Sequence, residues 1–169
     1  DNESADDVGI EPSTSSISVS ETGSTFSFTL RLISEPTANV VLSISSNNTA
    51  EGLVSPSSLL FSRNNWSTPQ AVIVTGVDDN YDNGSTPFNV IVGSPVTSDT
   101  NYSANPASII SATNDDNDTA GITIIASDNQ TGEDGDNGTL LVLLDSQPFG
   151  DVILGVTSDN ESETNVSPD

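Results

Sequence analysis

The stretch Thr25-Phe-Ser-Phe-Thr-Leu-Arg-Leu-Ile33 places an apolar side chain at every second position. A pleated strand sends alternate side chains to opposite faces, so Phe26, Phe28, Leu30 and Leu32 share one face. A helix would scatter the same residues around its axis. The period recurs in residues 39–45, where Val40, Leu42 and Ile44 fall together, and it continues in 70–77 and 88–93. Residues 16–21 and 107–113 read as the first and last strands of this series. Turn formers separate the runs: Ser34-Glu35-Pro36, Asn47-Asn48, Asp82-Asn83-Gly84 and Asn105-Pro106. No helical period of useful length is present, and Trp66 is expected to plug the core between strands. About seven short strands at this spacing predict an all-β fold, an antiparallel seven-strand immunoglobulin-like β-sandwich.

The chain also resembles itself. Shifted by 112 residues, Val8–Ser57 aligns without gaps on Ala120–Asp169. Gly9-Ile10 matches Gly121-Ile122, Glu21 matches Glu133, and Gly23 matches Gly135. Ser34-x-Pro36 matches Ser146-x-Pro148, and Val40-x-Leu42 matches Val152-x-Leu154. Glu51 matches Glu163, and Val54-Ser55-Pro56 matches Val166-Ser167-Pro168. A period of that length suits a bead-like domain in a tandem array. The expected organisation is an acidic linker over residues 1–7, a complete sandwich over 8–118, and the first half of a second repeat over 119–169. Half a bead cannot enclose a core unaided. Its remainder is expected from a longer parent chain or from another subunit.

Charge narrows the function. The chain carries 25 acidic residues against Arg31 and Arg63, a net charge of −23. Two separate arginines cannot release the counterions that nucleic-acid binding requires, so no nucleic-acid partner is expected. No apolar run approaches the ~20 residues of a bilayer span, so no membrane insertion is expected. Lysine, histidine and cysteine are absent. The usual catalytic bases and nucleophile activators are therefore missing, and the expectation is that this is not an enzyme. Zinc is disfavoured on the same ground.

The acids gather at three places: Glu21 after the first strand, Asp78, Asp79 and Asp82 in "VDDNYD", and "NDDND" over 114–118. In a sandwich of this topology these positions can meet at one end. Carboxylates so close disfavour mutual ionisation, and a hard dication reverses that. The order of "VSETG", "VDDNYD" and "DDND" resembles the Calx-beta domain family, calcium-binding β-sandwich repeats found in sodium/calcium exchangers and in tandem in large bacterial surface proteins. The resemblance covers residues 16–118 and resumes in 128–169. It implies Ca²⁺ as cofactor and Glu21, Asp78, Asp79, Asp82, Asp115, Asp116 and Asp118 as metal ligands. This chain departs from the family at Asp82, where a longer Glu is common, and at Asn47 or Asn48, where the family has an aspartate.

Ten Asn-x-Ser/Thr sequons occur. Those at Asn47, Asn65, Asn83, Asn101, Asn129, Asn137 and Asn160 are candidate glycosylation sites of an exterior protein. The sum is an expected extracellular or cell-surface structural and adhesive repeat region, stiffened by calcium into a stalk or filament. Its expected partners are calcium ions, neighbouring repeats or identical subunits in a filament, and surface glycans. Two other functions stay open: a carbohydrate-binding module using Trp66, Tyr81 or Tyr102, and a calcium-sensing regulatory domain.

Overall fold

The computed structural model describes residues 8–128 and 130–167; the 1–7 linker and Asn129 lie outside the described residues. The described residues divide into two units, one of residues 8–79 and 83–117 and one of residues 80–82, 118–128 and 130–167.

The first unit is a β-sandwich. Its strands are β1 (Ile10–Pro12), β2 (Ser16–Ser20), β3 (Thr25–Leu32), β4 (Val40–Ser46), β5 (Gly52–Ser55), β6 (Ser58–Phe61), β7 (Gln70–Gly76), β8 (Thr86–Val92) and β9 (Ser108–Asp115). One sheet runs β1-β3-β7-β5 and the other β2-β9-β8-β4-β6. The alternation legible in the sequence becomes burial. Phe28, Leu30 and Leu32 are buried on one sheet and Val40, Leu42 and Ile44 on the other, with Val72, Val74, Phe88, Val90 and Val92 between them. Full burial of such a side chain contributes roughly 1.5–3 kcal/mol. Trp66 packs against this core from the loop before β7, as its sequence position suggested, and its carbonyl accepts from the Leu32 amide at 2.9 Å.

Two features differ from an antiparallel seven-strand sandwich. Among the described residues the unit has nine strands, the six alternating runs of the sequence and the shorter β1, β5 and β6. One pairing is parallel: β2 lies alongside β9 with Ser16 opposite Ser111 and Ser20 opposite Asp115. The first extended stretch switches sheets at Ser13–Ser15. Its first half pairs antiparallel with β3, and its second half joins β9. Switching lets one stretch close a corner of both sheets.

A short helix, α1 (Thr100–Ser103), also went unread. Asp99 caps it, accepting from the Asn101 and Tyr102 amides. Tyr102 is 1% exposed, and its hydroxyl donates to the Ser34 carbonyl at 2.6 Å. It belongs to the core and offers no ring face on which a sugar could stack.

The second unit holds β10 (Ile122–Asp128) and β11 (Thr139–Leu144), paired antiparallel. Tyr81 stacks on Phe149 with ring centroids 4.9 Å apart. The hairpin register is Ile122 opposite Leu144, Thr123 opposite Leu143 and Ile124 opposite Val142. In the first unit Ile10 stands opposite Leu32, Glu11 opposite Arg31 and Pro12 opposite Leu30. Each pair differs by the 112-residue shift of the sequence match. Local turns repeat as well. Gly23 and Gly135 both take positive φ, +76° and +92°, a conformation glycine adopts without strain.

Candidate metal centre

The acidic end of the first unit is built by strand termini. β2 ends at Ser20, so Glu21 turns over the edge of the sandwich, and its amide donates to the Asp115 carbonyl at 3.0 Å. β7 ends at Gly76, leaving Asp78 and Asp79 to begin the next loop. β9 ends at Asp115, so Asp116 and Asn117 lie just past it.

These residues converge. Carboxylate oxygens of Glu21 and Asp78 come within 4.8 Å of each other. Asn117 links the two, its backbone N–H donating to Glu21 Oε2 at 3.3 Å and its Nδ2 to Asp78 Oδ1 at 3.1 Å. Asp116 Oδ2 is held by the amides of Asn83 and Gly84 at 2.8 and 2.6 Å. Asn83 Nδ2 reaches Asp79 Oδ2 at 3.3 Å. The loop between β7 and β8 is thus tied to the end of β9 through the acids themselves.

Glu21 is buried, only 2% exposed. Burial raises its carboxyl above the ordinary glutamate range, the Asn117 amide opposes this, and Asp79 and Asp116 add to the rise by their charge. A hydrogen bond shared with the Asp116 side chain acts in the same upward direction. Neither arginine relieves the crowding. Arg31 pairs with Glu11 at 2.5 Å across the β1–β3 ladder, and Arg63 stands 3.8 Å from Glu35.

Asp115 does not converge with the others. It points to the opposite face of β9 from Asn114, and its Oδ2 accepts from Ser18 Oγ at 3.0 Å. The twofold alternation of a strand forbids neighbours from facing one way. Asp82 and Asp118 belong to the second unit, where Asp82 Oδ2 accepts from the Ala120 amide at 2.7 Å.

Two buried polar residues near this end escaped the sequence reading. Asn114 is 1% exposed and Glu51 is 7% exposed. Asn114 Nδ2 donates to the Val77 carbonyl at 2.8 Å and to Glu51 Oε2 at 3.3 Å, so it pins the base of the Asp78 loop. Its Oδ1 has no hydrogen-bond partner among the described residues. The match of Glu51 with Glu163 was the available signal, and it was read only as evidence of repetition.

The donor set here is oxygen alone, from carboxylates and a side-chain amide. Such ligands suit a hard dication such as Ca²⁺ and not a soft metal.

The sequons fall mainly on exposed positions, with Asn47, Asn83, Asn137 and Asn160 outside the strands and Asn101 in α1. Asn65 is half-buried, and its Nδ2 donates to the Leu60 carbonyl at 3.1 Å, which engages the nitrogen that a glycan would occupy.

No helix among the described residues is long and apolar enough to cross a membrane. No family model matches the sequence. No curated protein matches it either. Solved structures with a similar course of chain include the E. coli chaperone DraB, at 8% identity over 65% of this chain and 56% of that one, with a TM-score of 0.48. The Caenorhabditis elegans protein WR4, an MSP family member, is 10% identical over 63% of this chain and 96% of its own, at 0.43. The PapD-like domain 7 of human CEP192 is 18% identical over 63% of this chain and 84% of that domain, at 0.45. The matched region spans less than two thirds of the chaperone, and likeness at this level assigns no function.

Proposed function

We propose that this chain is a repeat region of an extracellular structural or adhesive protein, built from immunoglobulin-like sandwiches in tandem and stabilised by calcium. The observation that carries the calcium reading is the buried Glu21 carboxylate, crowded by Asp79 and Asp116 and near Asp78, with both arginines paired elsewhere. Like charges at this spacing oppose folding unless a proton or a cation intervenes. Glu21, Asp78, Asp79 and Asp116 are the proposed ligands. The repeat reading is supported by the shared hairpin register at a shift of 112 residues. Bound metal would join the acidic end of one bead to the linker that follows it, limit pivoting there, and make the array a stiff stalk or filament. Neighbouring repeats or identical subunits would be its partners.

The test is calorimetric melting of the whole chain in calcium and in chelator. Extracellular calcium modules bind with Kd of roughly 10⁻⁴–10⁻³ M. About 10 mM calcium then stabilises by roughly 1.4–2.7 kcal/mol through mass action. The increment should vanish in Asp78→Asn/Asp79→Asn. Equal melting of the unaltered chain in both buffers would exclude the metal.

A further inference from the structure

The second unit leaves unpaired what the first unit covers. In the first unit β3 has a neighbour on each side, β1 and β7, and its Phe28, Leu30 and Leu32 are at most 1% exposed. Their counterparts at the 112-residue shift are Leu140, Val142 and Leu144 on β11, which are 55%, 36% and 40% exposed. Among the described residues of the second unit β11 pairs with β10 alone. Residues 152–156 repeat the contrast. Val40, Leu42 and Ile44 are buried in β4, whereas Val152, Leu154 and Val156 are 47%, 42% and 47% exposed and form no strand. An isolated two-stranded hairpin with apolar residues on both faces is marginal in water, and a free edge of this kind templates a further strand.

The first unit also identifies the occupant. β7 pairs antiparallel with β3, placing Val72 opposite Phe28, Ala71 opposite Thr29 and Gln70 opposite Leu30. Neither Gln70–Gly76 nor Thr139–Leu144 contains a charged residue, so the pairing meets no repulsion. We infer that the free edge of β11 docks one antiparallel strand with the chemistry of Gln70–Gly76, supplied by a further repeat of this sequence type, with its Val72-equivalent opposite Leu140. This rests on the repeat half of the proposed function and is independent of calcium. The occupant adds main-chain hydrogen bonds along β11 and covers one side of its apolar residues, the mode of strand addition.

The experiment is hydrogen exchange on the full chain with a synthetic peptide of residues 68–78, run in chelator and again in calcium. Saturating peptide is expected to slow exchange at alternate amides of Thr139–Leu144 by about tenfold or more, equally in both buffers. The same peptide with Val72→Asp is expected to give no protection. The inference is overturned if no amide of β11 is protected, if the Val72→Asp peptide protects equally, or if protection falls on the edge strands β1 and β5 of the first unit. It is also overturned if light scattering shows the chain alone to be a dimer whose β11 amides are already protected, since a second copy then holds the edge. Loss of the calcium melting increment alongside intact peptide protection would sink the metal reading and leave this one standing.

Discussion

Gly76→Ala is the sharpest perturbation of the link between packing and the acidic end. Gly76 closes β7, beneath the end of β2. A methyl group there would lie 2.2 Å from the Ser20 carbonyl oxygen, 2.8 Å from its carbon and 2.6 Å from Asn114 Oδ1. Ordinary contact begins near 3.4 Å, so the shortfall at the Ser20 oxygen is 3.4 minus 2.2, about 1.2 Å. The obstacle is mainly backbone, which cannot escape by changing rotamer. Overpacking of this kind costs about 1–3 kcal/mol, and a backbone clash belongs at the upper end. At about 4 °C per kcal/mol for a unit of this size, the midpoint should fall by about 12 °C. Ser20 precedes Glu21, and Gly76 lies two residues before Asp78, so the same wedge parts the two carboxylates. The assay is melting in calcium and in chelator, with Leu42→Ala as comparison. Leu42 is fully buried in β4, so its truncation costs about 2–5 kcal/mol without touching the acids. Leu42→Ala should keep the calcium increment that Gly76→Ala loses. An alanine variant that melts within about 2 °C of the parent, or that is destabilised yet keeps the full increment, would refute this reasoning.

Asp99 gives a pH test. Burial alone would raise its carboxyl, but hydrogen bonds from Thr37, Asn101 and Tyr102 outweigh it and leave it below the ordinary aspartate value of 3.8. A lowered carboxyl stabilises above the unfolded value and loses that contribution as pH falls through the folded one. Urea midpoints of Asp99→Asn should lag the parent by about 1–2 kcal/mol at pH 7, a gap that closes below about pH 4; a gap independent of pH would count against it. Tyr102→Phe removes the hydroxyl that donates to the Ser34 carbonyl and that accepts from the Ser34 amide at 3.1 Å. It should cost about 1 kcal/mol in denaturant melts and leave the calcium increment unchanged, whereas a shifted increment would tie this corner to the acidic end.

Much of the sandwich was legible because the twofold period of a strand is written in the side chains themselves. Residues 25–33 became β3 (Thr25–Leu32), and 70–77 became β7 (Gln70–Gly76). β5 and β6 were not legible. Each spans four residues on either side of Pro56-Ser57, too few to display a period, and each exists because β7 or β4 offers it a ladder. The acidic end was half legible. Clustering in sequence brought out Glu21, Asp78, Asp79 and Asp116. The phase of β9, which turns Asp115 toward Ser18 and Asn114 into the interior, is fixed only by pairing with β8 and β2. Tyr102 could be placed in the core only once α1 carried it over Ser34.

The two copies separate what each level decides. The turn after residue 46 is the same in both. The Asn48 amide donates to Ser46 Oγ at 3.2 Å as Asn160 does to Ser158 Oγ, and Ala50 donates to Asn48 Oδ1 at 3.2 Å as Ser162 does to Asn160 Oδ1. Those bonds close within a few residues, so the local sequence determines them. Val40-x-Leu42 and Val152-x-Leu154 are identical at the apolar positions, yet one lies in a buried strand and the other in exposed, unpaired chain. β4 is flanked by β6 and β8. A strand's hydrogen bonds and the cover for its apolar face come from elements distant in sequence, so alternation sets which side chains can share a face, and only the assembled sheets decide whether they form a core.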